Sequence, residues 1–308
     1  MNILSIDGGG IRGIYAAHLL KQIQDEIGIQ YTDHFDLIAG TSTGSILAAA
    51  LATKYPLEKV VALYEQHGKE IFSRRPASWL GVLRAKYSSS SLKKQLERVF
   101  EEKTLSDTDT NLLIPATDIG NAGVHVFKSP YDPEFVRDRD IRIADAVLAS
   151  CSAPLYFSPH RVDKYLLADG GMWANNPSLA CLVEAQKRFN IEISQVRLLS
   201  IGCGIGHRYY KQKNRDSRAW GLVSGWGGPK LVDTILNLQS QTTANMVELL
   251  LEPEQYLRLN FEHAEKLTLD DVGVIPELLS KADHDFAHNA AKVRKFLQQE
   301  YANKEGAV

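Results

Sequence analysis

The chain has 308 residues, a formal net charge of -2 and 44% hydrophobic residues. It is long enough to bury a substantial core, and its composition is that of an ordinary soluble globular protein. The near-neutral charge excludes the global basic field that collects nucleic acid. Cys151, Cys181 and Cys203 are few, odd in number and without metal-ligand spacing, which suits a reduced, cytosolic setting. The first residues reach Asp7 through strand-like sequence rather than a basic region and a long apolar run, so no signal peptide is expected. No stretch approaches the roughly 20 apolar residues of a membrane span.

Strand and helix patterns alternate from the start. Asn2–Ile6 reads as a short buried strand and Gly13–Ile27 as a helix. Phe35–Ala39 follows as a strand, Thr43–Thr53 as a small-residue helix, and Pro56 opens a helix to about Phe72. Ser88 to Ser91 reads as a loop leading into a helix over Ser91–Glu102. Leu112–Thr117 and Val124–Phe127 are strand-like, and Ile141–Ser150 is a helix stopped near Pro154. Tyr165–Ala168 is a strand, Pro177–Phe189 a helix with Asn176 as N-cap, and Val196–Ile201 a strand. Helices over Pro229–Leu251 and about Asp271–Glu300 flank a strand-like Gln255–Phe261. This alternation predicts an α/β fold of three layers, αβα, with a largely parallel central sheet. We expect one domain over 1–308. Its motifs lie within about 1–205, and 206–308 complete or cover the fold.

Two stretches, 73–87 and 207–228, break the pattern. Both are locally basic and aromatic, with Arg74, Arg75, Trp79 and Lys86 in the first and Arg208, Tyr209, Lys211, Arg218 and Trp220 in the second. They read either as solvated surface loops or as a lid that touches lipid headgroups.

Three glycine-marked segments carry the chemistry. The first is Gly40-Thr41-Ser42-Thr43-Gly44, a G-x-S-x-G between an apolar strand and an alanine-rich helix. That is the setting of a nucleophile elbow, in which a sharp turn lifts the serine out of the sheet and the helix N-terminus favours developing negative charge. The plainer alternative is a tight turn with Ser42 as N-cap.

The second segment is Asp7-Gly8-Gly9-Gly10-Ile11-Arg12-Gly13. An attacking serine needs preorganised N–H donors for the oxyanion, and a glycine-rich strand–helix turn supplies them. Gly8, Gly9 and Gly10 are the candidates, with Arg12 anchoring the loop, adding positive charge or forming an ordinary salt bridge. The same residues match the G-x-G-x-x-G of dinucleotide sites. Against that reading, Asp7 would repel a pyrophosphate, and Asp25 and Glu26 lie in a helix rather than at the end of a second strand.

The third segment is Asp169-Gly170-Gly171, after a strand. None of the nine histidines sits in a glycine-marked loop at a strand end, so Asp169 is the candidate base. A free aspartate, with a pKa of about 3.9, is weak for that task, and burial would have to strengthen it. The alternative is a simple Asp-Gly turn.

Taken in order, these segments resemble the patatin-like phospholipase family. "DGGGIRG" matches its oxyanion loop, "GTSTG" its nucleophile elbow and "DGG" its catalytic-aspartate motif. Smaller matches are "ATDI" at Ala116, "SCSAPLYF" at Ser150, "WANNP" at Trp173 and "LLSIGCG" at Leu198. The resemblance implies a patatin-like fold and a lipid acyl hydrolase working through a Ser42–Asp169 dyad, with Gly40 and Gly44 shaping the elbow. Neither a cofactor nor a metal is implied. The expected partner is the phospholipid surface at the inner face of the cell membrane, met from the cytoplasm. The resemblance also points to bacterial antiphage effectors of the cyclic-oligonucleotide (CBASS) type, and so to a cyclic dinucleotide activator, with association between copies of the chain as a further expectation. The alternatives kept open are a constitutive acyl-lipid esterase, a Ser-His-Asp esterase, and a binding protein whose dyad is idle.

Overall fold

The computed structural model describes residues 1–75, 78, 84–206, 221, 225–263 and 267–305. Its strands are β1 (Asn2–Ile6), β2 (Leu37–Gly40), β3 (Asn111–Asp118), β4 (Gly123–Lys128), β5 (His160–Val162), β6 (Tyr165–Asp169), β7 (Arg197–Ile201), β8 (Ile205–Gly206), β9 (Tyr256–Leu259) and β10 (Glu262–His263). Its helices are α1 (Gly13–Ile27), α2 (Tyr31–His34), α3 (Thr43–Ala52), α4 (Leu57–Ile71), α5 (Ser89–Phe100), α6 (Ile143–Ser150), α7 (Gly171–Ala174), α8 (Ser178–Lys187), α9 (Pro229–Leu250) and α10 (Ile275–Glu305).

The main sheet runs β5-β6-β3-β2-β1-β7-β9, with β4 also paired to β3. Strands β3, β2, β1, β7 and β9 are parallel. Strands β4 and β6 lie antiparallel to β3, and β5 antiparallel to β6. Alternation along β1 divides the core, because successive side chains of a strand point to opposite faces. Leu4 and Ile6 join the larger cluster with α1, α3, α4, α5, α6 and α10, whereas Ile3 joins a second cluster with α8 and α9. Three layers result. Helix α3, TGSILAAALA, is buried along its whole length, and its small side chains let it lie close beneath the sheet.

The element boundaries differ from the sequence expectations where a local hydrogen bond competes. The second strand begins at Leu37 because Phe35 N–H donates to the Tyr31 carbonyl (2.9 Å) and closes α2, a helix the sequence pattern did not predict. Pro56 sits at the N-cap of α4 rather than inside its first turn. Helix α5 starts at Ser89, with the Ser88 hydroxyl accepting from the Ser90 amide. Asn176 lies one residue before the N-cap position of α8, yet its side chain still accepts from the Ser178 amide (2.9 Å).

The C-terminal third ties directly to the first glycine loop. Asp7, 2% exposed, receives both Arg258 guanidinium nitrogens (2.6 and 3.3 Å) and the Ser240 hydroxyl (2.5 Å). Arg258 also donates to the Ser200 hydroxyl (2.6 Å). Thus β9 and α9 hold the end of β1. Removing one partner of a buried pair strands the other charge. Arg258→Ala is therefore expected to lower stability by about 3 kcal/mol in urea denaturation, and a loss below about 1 kcal/mol would show the pair to be dispensable.

Candidate active site

Ser42 stands between β2 and α3 with φ 52° and ψ -124°, a left-handed conformation that a residue with a side chain adopts only under constraint. The constraint is visible. A Cβ on Gly40 would overlap the Gly44 carbonyl, so the two arms of the elbow pass in backbone contact. The Ser42 amide donates to the Ser150 hydroxyl (2.9 Å), which donates to the Pro115 carbonyl (2.6 Å). The Ser42 carbonyl accepts from the Ser45 hydroxyl (2.6 Å), and the Thr41 hydroxyl donates to the Ala174 carbonyl (2.6 Å). The Ser42 side chain makes no cap hydrogen bond to α3, so the N-cap alternative does not describe it.

Asp169 ends β6, which runs antiparallel to β3. The strand lengths leave room for it. Pairing of β2 with β3 stops at Ala39 opposite Leu113, and β3 continues to Asp118. Strand β6 pairs with that overhang and returns toward the elbow, with Asp169 opposite Ala116. There the Asp169 carboxylate is 2% exposed and lines the same cavity as the Ser42 side chain. Burial pushes the Asp169 pKa up to about 6, against the opposing influence of the Gly171 amide hydrogen bond (2.7 Å) and the Ser42 hydroxyl. It is therefore a stronger base than a free aspartate and is still ionised at neutral pH.

The glycine loop forms part of the same wall. Gly9 and Gly10 line the cavity with Ser42 and Asp169. Gly8 was expected to donate to the oxyanion as well, but its amide donates to the Asn175 carbonyl (2.9 Å), so it is a tether instead. Arg12 is likewise not a donor at the reacting centre. Its side chain is 4% exposed, and both its amide and its Nε donate to the Gly9 carbonyl (3.2 Å each), so it braces the loop from behind. Among the described residues, no oxygen accepts from the amides of Gly9 and Gly10. Gly10 has φ +58°, and a Cβ there would overlap the Leu269 carbonyl.

The rest of the cavity is apolar, lined among others by Ile46, Leu63, Ile71, Phe72, Tyr156 and Phe157. Such a lining suits an acyl chain. No described histidine lines it, which disfavours the Ser-His-Asp alternative, although His207 is outside the described residues. Asp7, which would repel a pyrophosphate in a dinucleotide site, is instead committed to Arg258. Among the described residues no cluster of His, Cys, Asp and Glu could hold a metal. Of the two basic, aromatic stretches, residues 76–77, 79–83, 207–220 and 222–224 are outside the described residues. At the C-terminal end of the first, Lys86 and Tyr87 are buried, 7% and 2% exposed, whereas Ser73, Arg74 and Arg84 are exposed.

Asn175, Ser150, Arg258 and Leu269 take part in this site without having been singled out from the sequence. The first two fall inside recognised segments, "WANNP" and "SCSAPLYF", and that was the only signal available.

A strained serine and a buried carboxylate that line one cavity with a glycine loop, on an α/β sheet, suit a serine hydrolase, and no histidine among the described residues joins them. Comparison with known proteins places the chain more closely. Residues 4–182 match the model of the patatin-like phospholipases. A "cGAMP-activated phospholipase" of Pseudomonas aeruginosa is 38% identical over 206 residues, covering 65% of this chain and 62% of the relative. A protein of the same name from Escherichia coli is 33% identical over 302 residues, covering 88% and 84%. The crystal structure of VipD from Legionella pneumophila shares the fold, with a TM-score of 0.50 at 13% identity over 95% of this chain and 66% of that one. The chain belongs to the patatin-like phospholipase family, a family of ester hydrolases. Among the described residues, no helix is long and apolar enough to cross a membrane.

With Asp169 as the expected base, only its ionised form can accept a proton from Ser42, so reactivity should be half-maximal near pH 6, full about one pH unit above and falling below. The rate of Ser42 labelling by a soluble fluorophosphonate should drop about tenfold per pH unit beneath that midpoint. A profile still level at pH 4.5 would contradict a base of this strength.

Proposed function

We propose that the protein is a lipid acyl hydrolase of phospholipase A type, which cleaves ester-linked fatty acids from membrane phospholipid and is switched on by a cyclic dinucleotide. The observation that carries the chemical reading is that the Ser42 side chain and a buried, basic Asp169 line one apolar cavity.

The ester carbonyl lies between Ser42 and the glycine loop, with the acyl chain against Phe72, Tyr156 and Phe157. Asp169 takes the proton as Ser42 Oγ attacks the carbonyl carbon. The amides of Gly9 and Gly10 donate to the carbonyl oxygen as negative charge develops on it, a contribution of about 10²–10³ in rate per donor. Collapse of the tetrahedral intermediate expels the lysolipid alkoxide, which takes the proton from Asp169. Water then attacks the acyl-Ser42 ester and gives its proton to Asp169. Collapse of that second intermediate releases fatty acid and returns the proton to Ser42.

The relatives named for activation by cGAMP support the regulatory reading. An unregulated phospholipase would damage the membrane of the cell that makes it, so gating has a physical rationale. With activation by a nucleotide second messenger, the activity fits antiphage defence, acting from the cytoplasm on the inner face of the membrane.

Fatty-acid release from phosphatidylglycerol vesicles should require both cGAMP and Ser42, with Ser42→Ala reducing the rate by at least about 10³-fold. Release without nucleotide would leave a constitutive esterase, and equal release by Ser42→Ala would overturn the nucleophile assignment.

A further inference from the structure

The glycine loop is held at two points. On one side the Gly8 amide donates to the Asn175 carbonyl (2.9 Å), and on the other the Ile11 amide donates to the Leu269 carbonyl (2.8 Å). The peptides of Gly9 and Gly10 lie between these anchors. The second anchor comes from a segment 258 positions away along the chain, so its register must be set by contacts of its own. Leu267 and Leu269 bury their side chains, 6% and 5% exposed, which attaches the segment to the core. Apolar burial is non-directional and does not aim a carbonyl.

The directional contact is at the next residue. Asp270 forms an ion pair with Lys86, and both side chains are 9% exposed. Its Oδ2 also accepts from the Tyr87 hydroxyl (2.6 Å). Burial alone would raise the Asp270 pKa, but the hydrogen bonds of Lys86, Tyr87 and Thr268 hold it below the ordinary carboxylate range. Lys86 and Tyr87 are themselves fixed to the aromatic wall of the cavity. Their amides donate to the carbonyls of Leu155 and Tyr156 (2.9 Å each), and the Tyr87 ring packs edge-on against Phe72.

We propose that Lys86, Tyr87 and Asp270 are positioning residues of the ester hydrolysis: their buried contact aims the Leu269 carbonyl at Ile11 and so holds the Gly9 and Gly10 amides where the oxyanion forms. None of the three touches the reacting atoms. This rests on the hydrolase reading above and adds to it the part of the chain that keeps the glycine loop in register. It also gives the first basic, aromatic stretch a role at its described end.

The test compares the full chain with Asp270→Asn, Lys86→Met and Lys86→Arg, in the presence of cGAMP. A misplacement of about 1 Å can cost up to about 10²-fold in rate. Hydrolysis of a soluble nitrophenyl ester should therefore lose about 10- to 100-fold in kcat in Asp270→Asn and Lys86→Met, with KM within about twofold. The midpoint near pH 6 should not move, because Asp169 is untouched, and Lys86→Arg should recover most of the rate. Hydrogen–deuterium exchange provides the readout independent of activity. The amides of 9–11 should exchange faster in Asp270→Asn, while those of β1 and α3 keep their protection. Unchanged exchange at 9–11, or an unchanged kcat per folded molecule, overturns the proposal. If wild type hydrolyses no ester, the hydrolase reading fails, and the exchange result alone decides the contact. Should Asp270→Asn not fold, Tyr87→Phe removes one hydrogen bond and is subjected to the same two measurements.

Discussion

A carboxylate kept out of water against a hydroxyl is an unfavourable arrangement, and the architecture around Asp169 maintains it. Burial penalises the charged form, and only the Gly171 amide and the Ser42 hydroxyl offset that penalty on the carboxylate itself. The backbone is fixed independently: the Asp169 amide donates to the Ser152 carbonyl (3.0 Å), and its carbonyl accepts from the Thr117 hydroxyl (2.8 Å). The carboxylate therefore cannot relax toward solvent. The result is a base stronger than a free aspartate, which is what the proposed dyad requires to do with two residues what other serine hydrolases do with three. The strained backbone of Ser42 belongs to the same arrangement, since a relaxed elbow would not present the hydroxyl to Asp169.

The oxyanion loop is built on a different principle. Its reactive part must offer bare amides, so the stabilising contacts lie on either side of it. Asp7 is tied to Arg258 and Ser240, Gly8 to Asn175, and Ile11 to Leu269. Three of those partners come from beyond residue 230. The C-terminal third thus completes the sheet through β9, packs α9 over one face and secures the loop that begins at residue 7. A change in that region would reach the active site through these ties.

Several parts of this arrangement were legible in the sequence. Glycines at Gly8 to Gly13 and Gly40 to Gly44, each between an apolar strand and a helix, signal backbone geometry that other residues cannot supply. Three such segments in one order carried the family resemblance. The central strands β1, β2 and β7 were readable because they are short apolar runs bounded by turn residues. The return of β6 was not, since a strand's pattern does not state its direction, and its place depends on the length of β3 left beyond β2. Gly8 was misassigned because three equivalent glycines do not reveal which amide is already bonded. Arg258, Leu269 and Asp270 act through contacts spanning roughly 180 to 260 positions, and no local periodicity encodes them. Lys86 read as part of a basic surface stretch because its buried partner lies in another segment.

The most direct test is a crystal structure of the protein with Ser42 phosphonylated by a fluorophosphonate. The adduct carries a tetrahedral centre and a P–O oxygen in place of the oxyanion. We expect that oxygen within about 2.7–3.1 Å of the amides of Gly9 and Gly10, with the Asp169 carboxylate beside Ser42 Oγ and no histidine in contact. An oxygen directed away from the glycine loop, or a histidine bonded to Ser42, would contradict the account.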